Sequence, residues 1–155
     1  MTKVRAVALS LALLLSIPAD AKAPTAMVAV TGPGIGAPIE LTHREVISAN
    51  IWGGNFIDKQ TGVVPAPASE LPRYTVQFHV QLENEVRMMY VVYYVWDEAA
   101  GRALLQVPDV SDRWYELNVS TISRCCHGKW FYATRTWGEA IHTALPAARR
   151  YQRDM

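Results

Sequence analysis

In Tyr74-Thr75-Val76-Gln77-Phe78-His79-Val80-Gln81-Leu82, apolar and polar residues alternate without a break. Successive side chains of a strand point to opposite faces, so this segment predicts a strand with one dry and one wet face. Glu83-Asn84-Glu85 supplies a turn, and Val86 to Trp96 then differs in kind. Met88, Met89, Tyr90, Val91, Val92, Tyr93, Tyr94 and Val95 are apolar on both parities. A strand of that sort belongs in the middle of a sheet, covered above and below. Asp97 to Gly101 makes another turn, and Ala103-Leu104-Leu105-Gln106-Val107 is a third hairpin strand closed by Pro108. Thr25–Thr31, Trp114–Val119 and Lys129–Ala133 read as further strands, the last two joined through Arg124-Cys125-Cys126-His127-Gly128.

Two segments carry helical spacing. Thr42 is the expected N-cap of the first, Glu45 completes a capping box, and Leu41 can staple onto Val46. Val46, Ile47, Asn50 and Ile51 follow, and Gly53-Gly54 stops the helix. Thr136 and Glu139 form a second capping box ahead of Trp137, Ile141, Ala144 and Leu145 on one stripe, which Pro146 kinks or ends. Residues 58–72, with Pro65, Pro67 and Pro72, read as loop. Short connections between strands favour antiparallel neighbours. The expected fold is α+β, a single domain with an antiparallel meander of four or five strands, one helix before it and one after.

The start of the chain has a different pattern. Lys3 and Arg5 precede an almost wholly apolar run from Ala6 to Ile17; Pro18 breaks it, and Ala19-Asp20-Ala21 supplies small residues. Basic, apolar and small-residue regions in that order read as a cleavable signal peptide over residues 1–21, and the run is shorter than the about 20 residues of a bilayer span. The expected mature part is residues 22–155, with a basic tail over 146–155 carrying Arg149, Arg150 and Arg153. It holds 13 basic and 13 acidic side chains. A formally neutral surface argues against nucleic acid as a partner, and no second apolar stretch is long enough to span a membrane. The expected location is the periplasm or the cell exterior.

Several phrases carry a resemblance. Leu71-Pro72-Arg73-Tyr74, Tyr90-Val91-Val92-Tyr93, Leu117-Asn118-Val119-Ser120-Thr121-Ile122 and Gly128-Lys129-Trp130-Phe131-Tyr132-Ala133 resemble those of small exported bacterial proteins of unknown function. The likeness covers most of residues 26–145. It implies export and a shared fold and brings no catalytic residues with it. The layout of a helix against a curled meander also resembles cystatin-like folds, which host inhibitors, binding modules and enzymes alike.

Candidate chemistry is sparse. Gly32-Pro33-Gly34-Ile35-Gly36 follows a strand, but the helix opens only after Thr42, so its amides cannot join a phosphate loop there. Cys125, Cys126 and His127 offer metal-ligand chemistry in one place, and no second ligand pair is spaced to complete a set. The expectation is a turn with inert or partly buried thiols, no metal and no resident cofactor. The chain has no Gly-x-Ser-x-Gly elbow and no His-Glu-x-x-His motif. The wet face of the alternating strand is the one arguable binding surface, with Gln77, His79 and Gln81 as its candidates beside Thr75. A two-residue turn would set Tyr94, Val92, Tyr90 and Met88 beside these four; a three-residue turn would set Tyr93, Val91, Met89 and Arg87 there. Such a patch suits an envelope protein, peptide or glycan, although cover by the second helix or the N-terminal segment is the expected outcome. The functional expectation is an exported envelope accessory or binding protein. The alternative is a small hydrolase acting on envelope material, and metal or redox handling at Cys125, Cys126 and His127 is a third idea.

Overall fold

The computed structural model describes residues 23–122 and 125–146. The expected signal peptide over 1–21 and all but Pro146 of the expected basic tail lie outside them. Among the described residues seven strands form one antiparallel sheet: β1 (Thr25–Thr31), β2 (Ile39–Leu41), β3 (Val63–Val64), β4 (Arg73–Gln81), β5 (Val86–Asp97), β6 (Arg102–Gln106) and β7 (Trp130–Tyr132). The described helices are α1 (Arg44–Ile47), α2 (Tyr115–Thr121) and α3 (Arg135–Ala144). The fold is therefore α+β, with more strands than the four or five expected. Strand order is β2-β1-β4-β5-β6-β7-β3. β5 lies at the centre, as its two-sided apolar pattern requires, and Tyr90, Val91, Val92, Tyr94 and Val95 are all buried. The strands missed in the sequence are β2 and β3 at the two edges. At three and two residues they are too short to display a period, and short edges give other chains little to pair with.

The dry parity of β4 faces the core. Tyr74, Val76, Phe78 and Val80 are buried there beside Tyr90, Val92 and Tyr94 of β5, and α3 packs over them. Trp137 of α3 stacks on Phe78 at 5.8 Å between ring centroids, with Phe56 5.4 Å away and Tyr94 6.5 Å away at an edge. Gly138 brings the helix close to the sheet: a Cβ there would stand 2.9 Å from the Ala103 Cβ. The same glycine's carbonyl accepts a 2.8 Å hydrogen bond from the Tyr94 hydroxyl. Ile141 and Leu145 complete the buried stripe. The cap of α3 is Thr134, without a side-chain hydrogen bond, so the expected capping box at Thr136 does not form.

The first helix is one turn, not the longer element expected. Its N-cap is His43 with no side-chain bond, and Leu41 belongs to β2. Two asparagines redirect the chain. Asn50 Oδ1 accepts from the Trp52 and Gly53 amides at 2.7 and 3.2 Å, and Asn55 Oδ1 accepts from the Asn50 amide at 2.6 Å. Side-chain amides offer the backbone an alternative to the helical ladder, and here that alternative wins.

The largest correction concerns Trp114–Val119, expected as a strand and folded as α2. β6 pairs with β5 only from Tyr93 to Asp97, which leaves the β5 edge open near Val91. Asn118 of α2 takes that place. Its Oδ1 accepts from the Val91 amide at 2.9 Å, its Nδ2 donates to the Val91 carbonyl at 2.7 Å, and the side chain is buried. One side-chain amide thus continues the ladder where the strand stops. Asp112 starts the helix by accepting from the Trp114 amide at 2.9 Å. Local preference for a strand yields to this tertiary contact.

Candidate functional site

The sheet face opposite α3 carries the wet parity of β4. Thr75, Gln77 and His79 are half-exposed on it and Gln81 is exposed. Neither expected cover is present: α3 packs on the other face, and the N-terminal segment is β1, paired edge-on with β4. Neither turn register holds along the whole strand pair. Thr75 faces Tyr93 and Gln77 faces Val91, as a three-residue turn requires, but a bulge then shifts the pairing, so His79 faces Met88 and Gln81 faces Val86.

Beside these candidates runs a row of side chains that the sequence reading did not group. The Arg73 guanidinium lies 3.7 Å from the Tyr93 ring centroid and 5.8 Å from that of Trp130. Its Nη2 donates to Gln106 Oε1 at 2.6 Å, and Gln106 Nε2 donates to the Gly128 carbonyl at 2.9 Å. Arg102 covers the Tyr132 ring at 4.2 Å and donates to Asp58 Oδ2 at 2.9 Å. Cation–π and charge-assisted contacts therefore tie β4, β5, β6 and β7 together on this face. Side-chain parity contains the signal, since Arg73, Thr75, Gln77 and His79 share a face; the partners follow only once the register is known.

Electrostatics set the row's protonation. Burial pushes the Tyr93 hydroxyl up to about 12, helped by its 2.5 Å hydrogen bond to Asp112 and the charge of that carboxylate. Burial lowers His79, against the opposing pull of Glu40. Its Nε2 is shut away from solvent and has no hydrogen-bond partner among the described residues. The Arg102 bond, followed by those from Thr61 and Gln60, holds the Asp58 carboxyl at about 2, below its ordinary 3.8. A depressed carboxylate stabilises the fold above its unfolded value and ceases to do so as pH falls through the folded one. The stability gap between the wild type and Asp58→Asn should therefore be full near neutrality and close between about pH 4 and about pH 2. Urea unfolding of both proteins across that range checks this, and a gap independent of pH would contradict it.

The other candidates lie apart from this row. Cys125 and Cys126 are joined by a disulfide, so the turn does not carry the free thiols expected of it and presents no thiolates to a metal. Cys126 has a positive φ of 76°, and Gly128 follows with 75°. The His127 ring lies edge-on to Tyr115 at 4.9 Å, with Nδ1 3.2 Å from the Pro108 carbonyl. Asn118 is the buried ladder residue, in a helix and not in the expected strand. A cleft of about 380 Å³ between α1 and α3 is lined by Arg44, Glu45, Ser48, Asn55, Thr136 and Trp137 among others. Its one carboxylate, Glu45, has neither histidine nor cysteine beside it in that lining. Among the described residues no helix is long and apolar enough to cross a membrane. Compared with known proteins, the chain matches no family model, no curated protein and no solved structure.

Proposed function

We propose that the chain is an exported envelope binding protein whose working surface is the outer face of the sheet. The observation that carries this reading is the half-exposed row of Gln77, His79, Tyr93, Gln106, Trp130 and Tyr132 on strands braced by Arg73 and Arg102. Amide and guanidinium groups beside flat rings suit sugar hydroxyls and peptide bonds, and strand-mounted side chains hold their geometry better than loop ones. The ligand class is an envelope glycan or peptide. Export is supported by the leader-like pattern over residues 1–21 and by the disulfide, since such bonds persist in oxidising compartments.

The test is co-sedimentation of the processed protein with isolated cell-wall sacculi, alongside a panel of envelope peptides. Trp130→Ala combined with Gln77→Ala should lower retention at least about tenfold, as loss of a central aromatic anchor does. A Glu45→Ala, Thr136→Ala variant in the α1–α3 cleft should leave it unchanged. The alternative hydrolase would work from that cleft, so the reverse pattern, or release of soluble fragments lost with Glu45, overturns the binding reading.

A further inference from the structure

We infer that Met27, His79 and Met88 form a soft-metal site on the outer face that takes one Cu(I) ion. The inference deepens the reading of that face as the working surface and names a ligand for one end of it. The three residues come from three adjacent strands. His79 of β4 is paired directly with Met27 of β1 on one side and with Met88 of β5 on the other. Directly opposed residues share a face, with Cβ atoms about 4.5–5.5 Å apart. Two thioethers therefore flank one imidazole, within reach of a single ion.

Both neighbouring strands bulge at this point. In β1 the register shifts between Thr25 and Met27, opposite the step from Val80 to His79. In β5 it shifts at the step from Phe78 to His79, leaving Met89 as the extra residue. Bulges re-aim side chains and gather beside functional sites. Continuing the Arg73–Phe78 register would have set Met89 opposite His79, and the shift sets Met88 there instead.

The histidine is prepared for a ligand. Its Nε2 is buried without a hydrogen-bond partner among the described residues, a condition that costs free energy unless something fills it. Met27 and Met88 are half-buried, and methionine's unbranched chain has three rotatable bonds with which to bring sulfur to an ion. Among the described residues no three His, Cys, Asp or Glu side chains converge. The donors here are two neutral thioethers and one imidazole, a set that suits monovalent copper and not magnesium or calcium. Silver(I) serves as a redox-inert probe of the same softness.

The experiment is a titration of the processed protein, disulfide intact, with Ag(I), and with Cu(I) against a coloured Cu(I) chelator. One equivalent should bind, with the His79 ring signals shifting in NMR spectra. Loss of an outer partner of a metal ligand costs about 10–100-fold in affinity, so Met27→Leu, Met88→Leu and His79→Leu should each cost at least that. Met→Leu nearly conserves volume, and circular dichroism of these variants verifies that they fold. A Cys125→Ser, Cys126→Ser variant should bind as the wild type does, which excludes thiols freed by reductant. Absence of one-equivalent binding, or binding lost with the cysteines and kept in Met27→Leu and Met88→Leu, overturns the site. If sacculus or peptide retention persists while metal binding fails, the metal site alone is rejected. If retention fails while one-equivalent binding holds, the copper site stands and the glycan or peptide reading falls.

Discussion

Trp137→Ala should lower stability by about 4 kcal/mol, the ordinary cost of deleting a large aromatic from a packed core. The ring is the hub of the aromatic cluster, meeting Phe78, Phe56 and Tyr94, and it joins α3 to the sheet. Nothing beside it can collapse into the void without moving the helix that Gly138 seats against Ala103. Trp137→Phe is the informative partner. It keeps a ring in the cluster and removes an indole N–H that is buried without a hydrogen-bond partner among the described residues. Its cost should be about half that of Trp137→Ala, since fewer buried atoms are deleted and the smaller cavity keeps most of the ring contacts. Chemical denaturation of the two variants checks the contrast. Equal losses would mean that the indole's polar end, and not the stacking, matters at this position.

Asn118→Ala should cost about 3 kcal/mol by a different route. The packing volume lost is small, but the Val91 amide and carbonyl both lose their partners inside the fold. Each orphaned buried group costs about 1–3 kcal/mol. Asn118→Asp should be no better: it can still accept from the amide, yet it turns an oxygen toward the carbonyl and buries a charge. Hydrogen exchange at the Val91 amide gives a local readout, and protection there should fall in both variants by more than at Val76 or Phe78. Unchanged exchange at Val91 with a stability loss below about 1 kcal/mol would show that water or β6 can replace the side chain.

These two residues mark where the sequence could and could not be read. Trp137 lies on a helical stripe with Ile141 and Leu145, and its burial follows from spacing alone. The same holds for the alternating β4 and the two-sided β5, where period and composition report directly how many faces are covered. Asn118 has no such signature. Trp114, Tyr115, Leu117 and Val119 favour a strand locally, and only the missing end of β6 explains why a helix delivers an asparagine to that edge. The long first helix failed for a related reason, because Asn50 and Asn55 bond to the backbone and bend the chain away after one turn.

The candidate face was legible in outline. Alternation placed Gln77, His79 and Gln81 on one side of β4, and that grouping holds. Which residues stand beside them was not legible, because a bulge changes the register halfway along and no spacing rule announces it. For the same reason the Arg73, Tyr93, Gln106 and Trp130 row, drawn from β4 to β7, emerges only from three-dimensional pairing. The disulfide of Cys125 and Cys126 was unexpected, since a bond between neighbours closes a tight ring.

The most direct trial of the outer face as working surface is a backbone-amide NMR titration of the processed protein with soluble cell-wall fragments and envelope peptides. Shifts should cluster at Arg73, Thr75, Gln77, Tyr93, Gln106 and Trp130 and leave Glu45, Asn55 and Thr136 in place. Shifts gathered at those last three residues, with the sheet silent, would move the site to the helical cleft and contradict the account.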